Sequence, residues 1–330
     1  MEANGRMVIL LLLAFSGLFA YEGLSEHRDV SAFPPPGVLY QVEGRAMHLY
    51  CTGEGVPTVI LDSGIGSAAL GWGSVQPEVA KVTRVCSYDR AGYGWSEPGP
   101  LPRTSGHIVD ELHALLGNAG ITGPLLLVGH SFGGANMQIY AHRYPGEVAG
   151  MVLVESSHER QAGIFGEPGT LFFCWVRVGQ GSAYLGLPRL LDLPTGSVYN
   201  LPDSVKASAM AQGVRPQAYA TLYNELDAFS ESLRQVGEVT TLGDMPLVVI
   251  MQGNRGNRPG VLEPMPEKYM DAWRGLQSEL AKKSTHGVLV EGDGVGHLIP
   301  QERPDLVVDA ITGIVEEYRQ QAAGIKPGAF

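Results

Sequence analysis

The chain has 330 residues, of which 44% are hydrophobic and 17% charged; this composition is ordinary for a folded globular protein and too apolar for a disordered one. The 23 basic and 34 acidic residues give a net charge of -11, which argues against a nucleic-acid partner because phosphate binding needs a basic face. The three cysteines form no C-x-x-C pair, so a structural zinc site has no support.

The N-terminal region carries a hydrophobic segment. Residues 7–21 form a run of 15 without charge, preceded by Arg6. Spanning helices usually need about 20 apolar residues and signal-peptide cores about 7 to 15, so the length favours an export signal, with a short uncleaved anchor as the rival interpretation. Because prolines and a glycine at 34–37 then break the chain, residues 1–36 are predicted to be targeting segment and linker outside the fold. We therefore expect an exported or membrane-anchored protein.

From residue 37 onward, short apolar runs alternate with helical patterns. Apolar residues between 108 and 116 have the spacing of one buried helix face, and residues 307–318 repeat that pattern. This alternation predicts an α/β fold, a mostly parallel central sheet flanked by helices, with active-site loops beyond the carboxyl ends of the strands. The predicted strands cover residues 38–42, 47–51, 58–61, 82–88, 125–128, 151–154, 247–251 and 288–290.

One interval does not follow this alternation of strands and helices. Residues 157–243 separate two core strands by far more than one crossover helix requires, and they contain helical patterns near 203–212 and 216–236. We predict that this interval is an inserted, mainly helical cap. The two parts of the α/β core would then be residues 37–156 and 244–330.

The motif G-x-S-x-G occurs at residues 129–133, directly after an apolar strand and before a predicted helix at 135–144. A serine on a sharp strand-to-helix turn has a strained backbone and little room, so the residues two before and two after it must be small. The N–H groups that begin the helix point at developing negative charge. An ordinary serine in a glycine-rich turn is the alternative, but this context favours Ser131 as a nucleophile.

With this motif, the chain resembles the α/β-hydrolase family over about residues 38–322. Residues 89–96, which read D-x-x-G-x-G-x-S after a strand, also resemble a loop of that family. The resemblance implies an α/β-hydrolase fold with a small helical cap, and it implies no metal or organic cofactor.

Acyl transfer at a serine needs two N–H donors aimed at the tetrahedral oxygen. By the family pattern, one donor is the N–H of Phe132, directly after the nucleophile. The other comes from the loop after the third strand, where Ser63 and Gly64 replace the His-Gly that the family often has. Ile65 is in position to supply this second N–H; the alternative for this loop is a flexible glycine turn.

The general base should follow the last strand in the family's chain order. His297 does so, in a glycine-rich loop at residues 294–297 that matches the G-x-G-H of many members. His286 stands before the same strand, at the wrong end. His130 and His142 flank the nucleophile turn and are expected to pack or cap. We therefore predict His297 as the base.

The carboxylate that would orient the general base is not at the position that is most common in the family. Many relatives carry an aspartate just after the strand that follows the cap, but residues 252–257 contain no carboxylate. Some members place the acid one strand earlier, and Glu155 is the first residue past that strand. We predict Glu155; the alternatives are Glu263 and Asp293, or a role in which Glu155 only positions a loop.

These residues predict carboxylic ester hydrolysis of a small-molecule acyl substrate through an acyl-enzyme on Ser131. An aminopeptidase, amidase or acyltransferase on the same triad stays open. Epoxide hydrolase and dehalogenase chemistry is disfavoured, since relatives with those activities use aspartate where Ser131 stands. A non-catalytic binding protein on the same fold is the alternative of another class. An aminopeptidase would need cap carboxylates to hold an amine, and the candidates are Glu159, Glu167, Asp192, Glu225, Asp227 and Glu231.

Two of the cysteines, Cys51 and Cys86, fall on strands that the family order places side by side. A disulfide is therefore conceivable in an exported protein. Two buried free thiols are the more common outcome, and we expect thiols.

Overall fold

A computed structural model describes residues 2–166, 169–253 and 265–324. The strands are β1 Val38–Val42, β2 Arg45–Thr52, β3 Thr58–Asp62, β4 Val85–Tyr88, β5 Leu125–His130, β6 Val148–Val154, β7 Leu247–Gln252 and β8 Gly287–Gly292. They form one sheet in the order β1-β2-β4-β3-β5-β6-β7-β8, in which β2 runs antiparallel to both neighbours and all other pairs are parallel. The predicted mostly parallel sheet is confirmed.

Helices cover both faces of the sheet. The helices are α1 Glu2–Ala32, α2 Gln76–Val79, α3 Ser105–Asn118, α4 Phe132–Arg143, α5 Ala162–Phe165, α6 Thr170–Ala183, α7 Leu187–Leu190, α8 Asp203–Gly213, α9 Pro216–Asp227, α10 Phe229–Val236, α11 Glu267–Ala281, α12 Ile299–Glu302 and α13 Pro304–Ala322. In β5, Leu125 and Leu127 face the apolar cluster that holds α3 and α4, whereas Leu126 and Val128 face the cluster that holds α2 and α13. Both faces of β5 are thus buried, as its continuous apolar run requires.

Several predicted boundaries differ from the structure, among them that of β6, which begins at Val148 rather than at Met151. β4 begins at Val85 rather than at Val82, because the N–H groups of Val82 and Thr83 bond to the carbonyl of Val79 and prolong the turn after α2. The predicted helix over residues 216–236 is two helices, which meet at Ala228. In the described part of the interval between β6 and β7, which the sequence predicts to be a cap, lie the six helices α5 to α10.

A disulfide joins Cys51 to Cys86, so the expectation of two free thiols is wrong. The two residues are direct partners in the antiparallel pairing of β2 with β4, and their Cα atoms lie 4.0 Å apart. Cysteines directly opposite each other on antiparallel strands bring their sulfur atoms within reach of a bond. Cys174 is free and exposed.

Helix α1 runs without a break through the uncharged segment into a polar one. Its first half is exposed and apolar, and the helix from Gly5 to Ala32 is long and apolar enough to cross a membrane. Although the sequence places residues 1–36 outside the fold, Glu22 of α1 is only 3% exposed and accepts hydrogen bonds from Arg189 of α7.

Candidate active site

Ser131 lies on a strained turn between β5 and α4, with φ 53° and ψ −119°. Only glycine fits two positions before it and two positions after it. A Cβ at Gly133 would lie 2.3 Å from the carbonyl oxygen of Asp62, and a Cβ at Gly129 would lie 2.5 Å from the Cα of Gly134. The Ser131 N–H donates to the carbonyl of Val154 at 3.0 Å, which fixes the turn against the end of the neighbouring strand. The backbone is therefore held in a conformation that non-glycine residues rarely adopt.

Glu155 follows β6 directly and is fully buried, with a positive φ of 47°. Its carboxylate accepts hydrogen bonds from the Gln252 N–H at 2.6 Å, from Gln252 Nε2 at 3.0 Å and from Trp273 Nε1 at 3.0 Å. A fourth bond joins Glu155 Oε2 to His297 Nδ1 at 3.1 Å. Four donors compensate the cost of burying this negative charge. Gln252 is the last residue of β7, and its amide supports the acid that follows β6.

His297 lies on the loop after β8 and is partly exposed. Because its Nδ1 faces Glu155, its Nε2 is left for the cavity. No hydrogen bond joins Ser131 Oγ to His297 in the described parts of the chain, although both side chains line one cavity; such bonds are often long before substrate binds. His286 lies elsewhere, in a separate cavity that it shares with His142.

His130 supports the loop that carries His297. Its Nε2 lies 2.9 Å from the carbonyl oxygen of His297, and the two rings lie 4.9 Å apart. Burial, with the neighbouring His297 as a second cause, lowers the pKa of His130 to about 3. His130 is therefore neutral at ordinary pH, and its Nε2–H donates to the carbonyl without adding charge beside His297. The sequence indicates only that His130 packs or caps.

Phe132 and Ile65 line the same cavity as Ser131. A Cβ added at Gly64 would lie 3.2 Å from the Cβ of Ser131, so the loop after β3 passes close to the serine. Within the described residues, no acceptor bonds to the N–H of Phe132 or of Ile65. Both predicted donors are thus beside the serine and available to a ligand.

Arg90 anchors this loop, a role that the sequence does not reveal. Its buried guanidinium donates to the carbonyls of Ser63 and Gly64 at 2.6 and 3.0 Å and to the Asp62 carboxylate at 2.7 Å. It also pairs with Glu225 of α9 at 2.7 Å. Burial opposes the charge, but the two carboxylates outweigh it and hold the pKa of Arg90 well above its usual value. The position of Arg90 in the D-x-x-G-x-G-x-S loop is the one signal that could have pointed to it.

The cavity above Ser131 has a volume of about 570 Å³. Apolar and aromatic side chains form most of its wall, including Ile65, Phe132, Phe165, Leu226, Phe229, Met265, Tyr269 and Trp273.

Of the alternative acids, Asp293 is exposed and Glu263 lies outside the described residues. In residues 2–166, 169–253 and 265–324, no group of three or more His, Cys, Asp or Glu side chains is arranged to hold a metal ion.

A serine on a strand-to-helix turn, with a histidine and a carboxylate near it above a mostly parallel sheet, is the arrangement of α/β hydrolases. Residues 59–310 match the alpha/beta hydrolase family, and the chain belongs to that family. An AB hydrolase superfamily protein of Gibberella zeae is 32% identical over 282 residues, which cover 80% of this chain and 87% of that protein.

Solved structures share the fold. A haloalkane dehalogenase variant from Bradyrhizobium elkanii superposes with a TM-score of 0.65 at 19% identity, covering 87% of this chain and 98% of its own. A thermophilic esterase from Thermogutta terrifontis has a TM-score of 0.60 at 20% identity, covering 85% of this chain and 98% of its own. At these identities the likeness is one of fold.

Proposed function

We propose that the protein is a serine hydrolase that cleaves carboxylic esters through an acyl-enzyme on Ser131. The observation that carries the proposal is that the strained Ser131 turn shares a cavity with His297, whose Nδ1 bonds to the buried carboxylate of Glu155 at 3.1 Å. A buried carboxylate holds the imidazole in the tautomer whose Nε2 can accept a proton.

In this mechanism, Ser131 Oγ attacks the ester carbonyl carbon while His297 Nε2 takes the hydroxyl proton. The N–H groups of Phe132 and Ile65 stabilise the oxyanion. When the tetrahedral intermediate collapses, the bond to the alcohol oxygen breaks and His297 gives its proton to the leaving alcohol. Water then attacks the acyl-enzyme, again with His297 as the base, which releases the acid and regenerates Ser131.

The charges around the cavity favour an ester over the amine of an aminopeptidase substrate. Among the described lining residues, Glu155 is the sole acid, and it is bound to His297. Three of the cap carboxylates are engaged elsewhere: Glu225 pairs with Arg90, Glu231 with Arg234, and Glu159 with Lys283. Asp192 and Asp227 do not line the cavity. Glu167 lies outside the described residues. Serine rather than aspartate at residue 131 disfavours dehalogenase and epoxide hydrolase chemistry, although a dehalogenase shares the fold.

We also propose that α1 anchors the hydrolase at the non-cytoplasmic face of a membrane. Arg6 directly precedes the uncharged run, whereas the next basic residue, Arg28, follows it by seven positions and stands among Glu22, Glu26 and Asp29. Because basic residues beside a spanning segment favour the cytoplasmic side, Arg6 favours export of the catalytic domain. The Cys51–Cys86 disulfide is typical of an oxidising compartment.

A fluorophosphonate probe tests the nucleophile. The full chain should be labelled, and Ser131→Ala should abolish both labelling and hydrolysis of p-nitrophenyl esters. Ser157→Ala is the matched control, because Ser157 lines the same cavity and should leave labelling intact. Labelling that survives in Ser131→Ala would contradict the proposal, and a folded wild-type chain that is neither labelled nor active would favour a binding protein.

A further inference from the structure

The polar second half of α1 is part of the folded unit. Arg189 of α7 donates two hydrogen bonds of 2.9 Å to Glu22 and one of 2.7 Å to Asp29. Hydrogen bonds to Glu22, which outweigh the cost of burial, raise the pKa of Arg189 above its ordinary value. Just after the helix, the carbonyl of Phe33 accepts a bond from Trp95 Nε1 at 3.0 Å. These contacts fix the direction in which α1 leaves the cap.

The cap meets α1 at the point where the uncharged run ends. Gly186, which precedes α7, lies against Tyr21, since a Cβ there would be 2.8 Å from the Tyr21 ring. Tyr184, which directly follows α6, and Phe19 of α1 line one cavity. A helix rises 1.5 Å per residue, so α7 lies within one turn of the boundary between apolar and charged residues on α1. If α1 spans a membrane, α7 lies at the membrane surface.

The cap exposes apolar side chains on α6 and beside α7, two helices that contact each other; together we call these side chains the cap apolar surface. On α6, Leu171, Trp175 and Val178 have the spacing of one helix face, and Trp175 is 74% exposed. Beside Arg189, the exposed side chains are Leu190, Leu191 and Leu193, of which Leu191 is 64% exposed. Exposed apolar groups of this kind on a folded protein mark a contact with a partner or a membrane. A net charge of -11 offers no attraction to anionic lipid heads, so the contact must be an apolar one.

We propose that the cap apolar surface lies on the membrane that α1 spans, and that the acyl substrate is an ester dissolved in the bilayer rather than in water. The substrate part rests on the proposed hydrolase activity, whereas the placement of the cap rests only on the proposed membrane anchor. The catalytic cavity fits such a substrate, because Phe165, Leu226 and Phe229 from the cap give it an apolar wall. Helix α6 packs on α9, and Leu226 is part of α9.

Cys174 provides a test of the placement. It is the one cysteine outside the disulfide, and it lies on α6 between Leu171 and Val178. The full chain, labelled at Cys174 with an environment-sensitive fluorophore and reconstituted in phosphatidylcholine vesicles, should emit at shorter wavelength. Spin-labelled phosphatidylcholine should quench it. The control carries Cys174→Ser with Lys81→Cys, because Lys81 is an exposed residue of the core, 68% accessible; its label should remain water-like and unquenched.

Equal, water-like emission from the two labels would overturn the placement. So would a Cys174 signal that rises with protein density and resists lipid quenching, because a second copy of the chain would then cover the surface.

A second arm tests the substrate. The triple variant Trp175→Asp, Leu190→Asp, Leu191→Asp should lower turnover of a long-chain ester in vesicles about tenfold or more, since burying each side chain in lipid is favourable. Turnover of water-soluble p-nitrophenyl acetate should be unchanged. Equal loss on both substrates would overturn the substrate claim. If the wild type cleaves neither ester, the proposed function fails, while the fluorescence result still decides where the cap lies.

Discussion

The carboxylate of Glu155 bonds to Nδ1 of His297 at 3.1 Å, although 142 positions separate them in the chain. The parallel pairing of β6 with β7 and of β7 with β8 brings them together, because both residues lie past the carboxyl ends of these strands. The bond carries the proposed mechanism, and it can be tested residue by residue.

Replacing Glu155 by glutamine should reduce kcat for p-nitrophenyl acetate roughly 1,000- to 10,000-fold. A neutral amide cannot stabilise the imidazolium, and it can hold the wrong tautomer. Asp293→Asn and Glu263→Gln are the controls, and both should keep near-native kcat. Circular dichroism should show that Glu155→Gln is folded. Near-native activity in Glu155→Gln together with loss in Glu263→Gln would reassign the acid.

Buried His130 should make the protein less stable at acidic pH. Its pKa is lowered to about 3 in the folded state, whereas the unfolded state titrates near its ordinary value of about 6.5. Between these values the unfolded state binds more protons, so stability falls as pH decreases. From about pH 7 to about pH 5, this group should account for about 2 kcal/mol of the loss.

Denaturant unfolding of the full chain in detergent at these two pH values measures the effect. His130→Gln should be less stable at the higher pH but should show a smaller loss on acidification. An identical pH dependence in the variant would show that His130 titrates normally.

Arg90→Met should destabilise the protein by about 3–5 kcal/mol, because it leaves the carboxylates of Asp62 and Glu225 buried without their partner. The midpoint of urea unfolding reports this loss. Arg234→Met is the matched control, since Arg234 forms its ion pairs at the surface and its removal should not shift the midpoint. A small effect of Arg90→Met would mean that the buried charges are solvated in some other way.

The disulfide predicts a thiol count. Denatured protein without reductant should show one reactive thiol, Cys174, and reduction should raise the count to three. The double variant Cys51→Ala, Cys86→Ala should lose about 3–4 kcal/mol of stability in the chain-entropy treatment of a 35-residue loop. Three reactive thiols in protein isolated without reductant would contradict the bond.

The local pattern predicts most elements because strands buried on both faces read as continuous apolar runs. The run at 125–128 marks β5, and the amphipathic spacing at 307–318 marks α13. The pattern predicts that β4 begins at Val82, because Val82 and Thr83 are β-branched, as residues in strands often are. Their N–H groups instead complete the turn after α2, a choice that local propensity does not record.

The sequence by itself determined the turn that carries Ser131, since only small residues fit two positions away on each side of such a serine and the flanking periods change from strand to helix. It also determined that His297 comes after the serine and the acid in the chain, in the loop that follows the last strand. The tertiary structure alone decided that Glu155 meets four donors, that Arg90 joins the loop after β3 to α9, that Cys51 pairs with Cys86, and that Glu22 of α1 is buried against Arg189. Each of these depends on residues distant in the chain becoming neighbours in space, and a one-dimensional pattern contains no distances between them.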